Sequence, residues 1–533
     1  MKLLKNRIIS LALAFVFCIG ASLLPANNTV LAAGNANDYI VRVGMYADTT
    51  TDSRLFSALT QSSKGFEIGY SSGDRFIPLL PLSYKDIIIL PNVNANIDEN
   101  GTLTAGEGNI GAYSTILGNY SSYSKAMTKA KSLGGFVAVV DGGFQVRINP
   151  RNDAGKHPNG ATAMPTENGI TVTDTKGNVI LVWADEKRNF ALQGKQGARV
   201  SFPMLHRSGA VNTYDYMGFF EYSVQDGKLF MVNCLGLEDY TKCVMANEIG
   251  TNVSKETRKA FSVLARTVPL GKKHKKSGFD VCSHSACCQV YKGLHQMSDE
   301  NNAIVDSTKG QYCAYDGSAI SVLYHNSNGG ASCSSVAAWG GEEVPYLTTV
   351  FLDEEGESDL WERSFTKEEF HKYLTVRDTF KPLTGDALSM QIVEKDPYGS
   401  DYITVLSVSD NYGNVVELRT SEDIRYYCGF KSANFNLSYT ADITVLTANG
   451  METKTVSGVM TAEGYKEFNG FNDEYITADG KVIAPDKVTV KGKGVGHGVG
   501  FSAIGSEQLA KDGYNYKYII GFFFNGTKLL NIK

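Results

Sequence analysis

Proline is scarce in this 533-residue chain, at 13 residues, and beyond the N-terminal region the chain has no long apolar run, no long repeat and no low-complexity linker. Without a later apolar run, helices after the N-terminus cannot span a bilayer. Without repeats or linkers, domain borders carry no compositional mark. A strong charge of one sign is also missing. The 51 basic and 56 acidic residues leave a net charge of -5, which gives no basic field and excludes nucleic acid as a partner. No HExxH or comparable open-site ligand set occurs, which removes the basis for a zinc peptidase. What is present is length for two to four domains, together with 28 tyrosines and 54 glycines. That balance suits a strand-rich globular protein with aromatic surfaces for flat ligands such as sugars.

The N-terminus has Lys2, Lys5 and Arg7 before an apolar run from Ile8 to Leu24, then Pro25 and Val30-Leu31-Ala32-Ala33. This reads as a secretory signal peptide over 1–32, cleaved after Ala32; an uncleaved membrane anchor is the competing reading. Either way the rest of the chain is expected outside the cytoplasm. Cys18 lies in this segment and lacks a lipobox context. The mature cysteines are Cys234, Cys243, Cys282, Cys287, Cys288, Cys313, Cys333 and Cys428. They are too sparse for a disulfide framework, but three fall within seven residues, which calls for a metal or a local bridge.

Alternating runs at Ile40–Tyr46, Phe66–Tyr70 and Ile87–Leu90 predict a β-rich entry region over 33–110. Over 111–150 a strand (Ser114–Leu117), a helix with Tyr123, Ala126, Met127, Ala130 and Leu133 on one face, and strands Phe136–Val140 and Phe144–Ile148 predict a βαββ unit. Strands resume at Ile170–Trp183 and Phe219–Val232. A helix opening at Leu237 should end at Gly250, and a second should start near Ser254, whose side chain can cap it, and stop at Pro269. A strand-rich stretch follows over 391–490. The segment 491–533 combines a glycine loop (Gly492–Gly500), a helix over Ser506–Asp512 and a closing strand at Phe522–Phe524.

Glu248 stands at the end of an apolar helical turn, just before a glycine. Partial burial there would raise its pKa, and a carboxyl kept protonated near neutral pH can act as a general acid on a glycosidic oxygen. The bland alternative is an ion pair with Arg258 or Arg266 on the next helix, the commoner fate of an isolated glutamate.

Ordered blocks beyond this point resemble the stage II sporulation protein D (SpoIID/LytB) family. They are Leu237-Glu238-Asp239-Tyr240, Ala246-Asn247-Glu248-Ile249, Lys259-Ala260 with Ala265-Arg266-Thr267, Phe279-Asp280-Val281-Cys282, and Cys288-Gln289-Val290-Tyr291-Lys292-Gly293. Tyr324-His325-Asn326-Ser327-Asn328-Gly329-Gly330, Trp339-Gly340-Gly341, Val344-Pro345-Tyr346-Leu347 and Gly494-Val495-Gly496-His497-Gly498-Val499-Gly500 complete the set. The βαββ unit likewise resembles the SPOR wall-binding module over about forty residues. Resemblance to SpoIID implies a lytic transglycosylase that cuts between N-acetylmuramic acid and N-acetylglucosamine and leaves an anhydro-muramoyl end, with Glu248 as the acid/base. Tyr324 and Asn328 match positions where the family has tyrosine and serine lining the cleft, so the serine-to-asparagine difference leaves the second role open; a structural turn is its alternative. Gln289 and His497 join them as substrate-binding candidates, although a histidine among glycines more often holds its loop in place. Trp339 could stack on a sugar or sit in the core.

His274, Cys282, Cys287 and Cys288 offer soft and imidazole ligands for a tetrahedral structural zinc, and some family members bind zinc here. This chain has Cys287 where those members have histidine, so either Cys287 or His284 would supply the missing ligand. A Cys282–Cys288 disulfide or inert thiols compete with the metal. No cofactor is needed for the chemistry. The combined expectation is an α+β, multidomain, strand-rich exported protein with a SpoIID-like catalytic region over 151–390 and 491–533. Its partners would be peptidoglycan glycan strands, stripped of stem peptides, and a cell-wall amidase. The rival from another class is a non-catalytic wall-binding modulator that enhances such an amidase.

Overall fold

The computed structural model describes residues 39–45, 55–97, 103–106, 113–148, 162–163, 166, 169–205, 211–285, 287–352 and 359–532. The segment 1–32, expected to be a signal peptide, lies outside the described residues. Among the described residues no helix is long and apolar enough to cross a membrane. The molecule is α+β and strand-rich, with several sheets and helices gathered beside them.

Alternation of apolar residues places Ile40–Met45 as a strand, with Val41, Val43 and Met45 fully buried. It lies in a seven-stranded sheet between Lys228–Gly236, which it pairs antiparallel, and the short edge strand Val281–Cys282, which it pairs in parallel with Gly44 opposite Cys282. The sheet edge therefore sets the position of Cys282. The predicted βαββ pattern forms as Tyr113–Tyr120, helix α1 (Tyr123–Leu133), Phe136–Val140 and Gly143–Ile148. Its Phe136–Val140 strand runs parallel to Val179–Trp183, so the unit shares one ten-stranded sheet with segments on both sides of it.

Helix α2 (Leu237–Glu248) leaves the strand Lys228–Gly236 without a loop, with Glu238 and Asp239 in its first turn, where acidic side chains favour the helix dipole. Helix α3 (Lys255–Leu270) packs against it and against α4 (Asp299–Ser307). Ser254 is the N-cap of α3 as expected, but its side chain does not cap. The Ser254 backbone N–H and hydroxyl instead donate to the Glu507 carboxylate at 2.7 and 2.9 Å, and Thr257 Oγ1 adds a third bond at 3.1 Å. A carboxylate from more than 250 residues away thus serves the positive end of α3. The helix also runs one residue past Pro269, which has helical φ available and forfeits only its own N–H bond.

The C-terminal segment closes onto this helical layer. Lys528–Asn531 pairs antiparallel with Gln311–Tyr315, and Phe501–Ser502 pairs in parallel with Tyr324–His325. The closing strand expected at Phe522–Phe524 is instead the end of a helix, Tyr516–Phe523. Asn515 caps it by accepting from the N–H groups of Lys517 and Tyr518, while Ile519, Ile520 and Phe523 form its buried stripe. A short apolar run fits either period, and here the helical one prevails. The strand-rich stretch is wider than the expected 391–490: Trp361–Thr366 pairs with Lys487–Gly492, which joins the two ends of an insert that runs from Trp361 to Gly492.

Candidate active site and cysteine cluster

Both arginines that could have neutralised Glu248 are committed elsewhere. Arg266, fully buried, holds Glu238 through two bonds of 2.9 and 2.7 Å and donates to the carbonyls of Gln311 and Val305. Arg258 binds Glu300 at 2.6 Å and Asn301 at 3.1 Å. The ion-pair alternative for Glu248 is thereby excluded. Its Oε1 accepts from the Val290 backbone N–H at 2.6 Å and from the Tyr324 hydroxyl at 2.9 Å. No hydrogen bond among the described residues reaches Oε2. The side chain as a whole is half-buried, but its carboxyl is closely surrounded. Desolvation is the largest influence on it and raises its pKa above the ordinary carboxylate range, against the opposing pull of the Val290 and Tyr324 bonds and Lys292. With both donors on Oε1, a proton on this carboxyl belongs on Oε2.

Tyr324 reaches Glu248 because the parallel bridge to Phe501 holds its backbone and the ring of Phe261 packs edge-on against it at 5.1 Å. Burial and the neighbouring Glu248 push the Tyr324 hydroxyl well above its usual pKa, so it stays a donor. Fully buried Gln289 accepts from Tyr240 Oη at 2.9 Å. Its amide lies beside the Tyr324 hydroxyl, and its Nε2 completes no hydrogen bond among the described residues. A buried donor left without a partner is costly unless a ligand uses it.

The other two candidates sit behind this wall. Asn328 is fully buried and its Oδ1 accepts from the Gly330 N–H at 2.9 Å, the structural turn that was its alternative reading. His497 is buried between His325 and Trp339, each with ring centroids 5.4 Å away, and its Nδ1 accepts from the Val499 N–H at 3.0 Å. Burial and the adjacent His325 hold its pKa well below the usual value, so it is a neutral loop brace that touches the backbone of Tyr324. Half-buried Trp339 packs on that imidazole.

His274, Cys282, Cys287 and Cys288 converge, with their ligand atoms all within 4.8 Å of one another. His274 Nε2 is 3.2 Å from the Cys287 sulfur. His284, the other candidate for the fourth position, instead offers its carbonyl to the N–H groups of Cys287 and Cys288. The described cysteines are free thiols, so Cys282 and Cys288 are not bridged. Contact among three sulfurs spreads their acidities. Hydrogen bonds from its two neighbours drive the Cys287 thiol far down, while contact among the sulfurs pushes Cys282 up to about 12 and Cys288 well above its usual value. A cation among them would let all three ionise, and a Cys3His donor set at these separations fits tetrahedral zinc. From Cys288 the chain passes directly through Gln289 to Val290, so the cluster sets where both site contacts lie.

Two contributors carried no sequence signal. The Val290 amide is backbone, and Glu507 lies in an ordinary polar helix. Tyr240 was visible within a motif, but only its 2.9 Å bond to Gln289 reveals a role.

The fold and site define a strand-rich α+β protein with one enclosed carboxyl at a helix end, braced by a cysteine–histidine cluster. Residues 225–315, which carry Glu248 and all four cluster residues, match the SpoIID family model, described as stage II sporulation protein. Similar relatives include the amidase enhancer of Bacillus subtilis, 28% identical over 305 residues covering 54% of this chain and 40% of that protein. Stage II sporulation protein D of the same organism is 22% identical over 316 residues, covering 56% of this chain and 75% of that protein, and its Bacillus amyloliquefaciens counterpart is 23% identical over 319 residues. Over residues 225–315 the chain is thus similar to SpoIID-family proteins. It spans less than half the length of the amidase enhancer that it matches.

Proposed function

We propose that the protein is an exported peptidoglycan lytic transglycosylase, acting on glycan strands freed of stem peptides, with Glu248 as its single acid/base. The observation that carries this reading is the Glu248 carboxyl: enclosed, raised in pKa, and, among the described residues, in no ion pair and held through Oε1 alone. The proton on Oε2 passes to the glycosidic oxygen as the bond from C1 of N-acetylmuramic acid breaks. The C6 hydroxyl of the same sugar then attacks C1 and returns its proton to the carboxylate, closing the 1,6-anhydro ring with no water consumed. One carboxyl suffices. Gln289 Nε2 is the fixed donor left over for the substrate's N-acetyl group, since the single Tyr324 O–H is already given to Glu248. The function is tested by mass spectrometry of chain ends after incubation with peptide-free strands; ordinary reducing ends would mean hydrolysis and sink the transglycosylase reading.

A raised carboxyl pKa has two consequences. The proton-donating form is lost as pH climbs through the raised value, so turnover should fall on the alkaline side at a pH above the ordinary carboxylate range, and a flat profile there would contradict the acid role. The folded protein also binds this proton more tightly than the unfolded chain. Its contribution to stability is therefore full below the unfolded pKa and lost as pH rises through the folded one. Glu248→Gln should melt higher than the native protein at neutral pH and level with it near pH 3. Equal melting at both pH values would show that the carboxyl is not strained.

The Cys3His cluster is proposed to hold a structural zinc that braces the Val290 loop and supplies no hydrolytic water. Replacing Cys288 by Ser should lower zinc content by elemental analysis and lower the melting temperature, and should weaken cleavage through the displaced Gln289 and Val290. Equal metal content and equal melting of both proteins would discard the metal.

A second reading, from another class, rests on the similarity to a protein named amidase enhancer. In it the same groove binds wall glycan and stimulates a partner amidase without cutting. Tight glycan binding without any new chain ends would favour it.

A further inference from the structure

A cavity of about 680 Å³ lies on the strand-rich stretch, and Glu248 is not among the residues that line it. Four charged side chains line it: Arg377, Asp378, Arg425 and Lys431. Two are already answered. Arg425 grips Glu422 within its own helix, and Asp378 pairs with Lys381 at 2.7 Å. Arg377 and Lys431 form no ion pair among the described residues. Asp359, which also accepts from Asn326 at 2.5 Å, feels the charge of Lys431 and offsets it in part. The cavity therefore keeps Arg377 outside any ion pair among the described residues and Lys431 only partly offset.

Arg377 is held in place before any ligand arrives. Its guanidinium lies 4.5 Å from the centroid of the Tyr373 ring, and its Nη1 donates to the Tyr373 carbonyl. The Tyr373 hydroxyl is in turn fixed on the carbonyls of Cys428 and Gly429 at 2.9 and 3.1 Å. A side chain at Gly429 would put its Cβ 2.3 Å from Arg377 Nη2, and Gly429 has φ +67°, so glycine both turns the chain and makes room for the arginine. Arginine fixed in this way is suited to bidentate capture of a carboxylate. Tyr426 and Tyr427, with ring centroids 5.1 Å apart and nearly perpendicular, form the aromatic part of the wall. Cation beside aromatic ring is the chemistry of an acidic sugar.

This cavity is tied to the Glu248 wall. The carbonyl of Lys431 accepts from the Gly496 N–H at 2.8 Å, and Ser432 Oγ donates to the Lys493 carbonyl at 2.7 Å. The same glycine loop bridges Val495 to Ser327, three residues from Tyr324.

We propose that this cavity is an anion subsite for the glycan strand, in which Arg377 and Lys431 receive the free lactyl carboxylate of a muramic acid residue and a tyrosine packs on its ring. The inference rests on the glycan-strand reading above and adds a cause for selectivity. In a strand that carries stem peptides the lactyl group is an amide, uncharged and followed by bulk; in a stripped strand it is a carboxylate. Two cations distinguish them.

The test uses the mature chain with Glu248→Gln, so that strands persist uncut, and compares it with the same protein also carrying Arg377→Gln and Lys431→Gln. Binding is measured to peptide-free strands and to the same strands with their carboxylates converted to amides. The expected result is a loss of roughly tenfold or more for the free-acid strands on removing the two cations, unchanged weak binding of the amidated strands, and a flatter salt dependence in the charge-deleted protein. Equal affinity of the two proteins for free-acid strands would overturn the subsite while leaving the glycan reading intact. No binding of either strand by the Glu248→Gln protein would overturn the glycan reading itself, and the subsite with it. Charge-dependent binding of poly(glycerol phosphate) in place of glycan would overturn the carboxylate assignment.

Discussion

Replacing Glu248 by Gln is expected to remove anhydro-muramoyl ends from digests of peptide-free glycan, with a rate loss of about 10²–10⁴-fold or more. Glutamine keeps the shape and can still accept from Val290 and Tyr324 through its oxygen, so the loop and the tyrosine need not move. What disappears is the transferable proton. Tyr324→Phe separates this role from positioning. It removes the donor that lowers the Glu248 pKa, so the alkaline limb of the pH profile should shift upward while a smaller share of the rate is lost. Retention of anhydro ends by the Glu248→Gln protein would sink the single-carboxyl mechanism, and loss without any shift in the Tyr324→Phe profile would reduce the tyrosine to packing.

The largest stability effect is expected at Arg266. Arg266→Met should destabilise the folded protein by about 3–5 kcal/mol, because it leaves the Glu238 carboxylate buried with only the Gly310 N–H for a partner. The guanidinium reaches α2 through Glu238, and through the Val305 and Gln311 carbonyls it reaches the end of α4 and the strand that pairs with the C-terminus. Its loss therefore loosens three elements at once. A double variant, Arg266→Met with Glu238→Gln, should recover much of the loss, since the uncompensated charge is then gone. Urea unfolding of the single and double variants checks this. A single-variant loss below about 1 kcal/mol would mean that water reaches the pair and that it behaves like a surface bridge.

These expectations divide along a physical line. Residues near one another in sequence were legible before any fold was known. The end of α2 at Glu248 followed from its apolar turn and the glycine after it, and the crowding of Cys282, Cys287 and Cys288 announced a cluster. His274 was reached from the same short stretch, and the strands at Ile40 and Phe66 showed their alternation. Local pattern sufficed because each depends on periods of two or 3.6 residues, or on ligand spacing.

Partners brought together from far apart were not legible. The sequence allowed Arg258 or Arg266 to neutralise Glu248 and allowed Ser254 to cap its own helix. Tertiary packing sent Arg266 to Glu238, Arg258 to Glu300, and Glu507 to the start of α3. The short apolar stretch Phe522–Phe524 fitted either period until the Asn515 cap and the buried Ile519 and Ile520 stripe made it helical. By itself the sequence determined the carboxyl, the thiol cluster and the mixed α+β character, since these are properties of residue type and local order. Only the tertiary structure decided that Glu248 pairs with neither Arg258 nor Arg266 and accepts from a backbone amide, because both the energy cost of a buried charge and the donor that offsets it depend on which distant segments surround it.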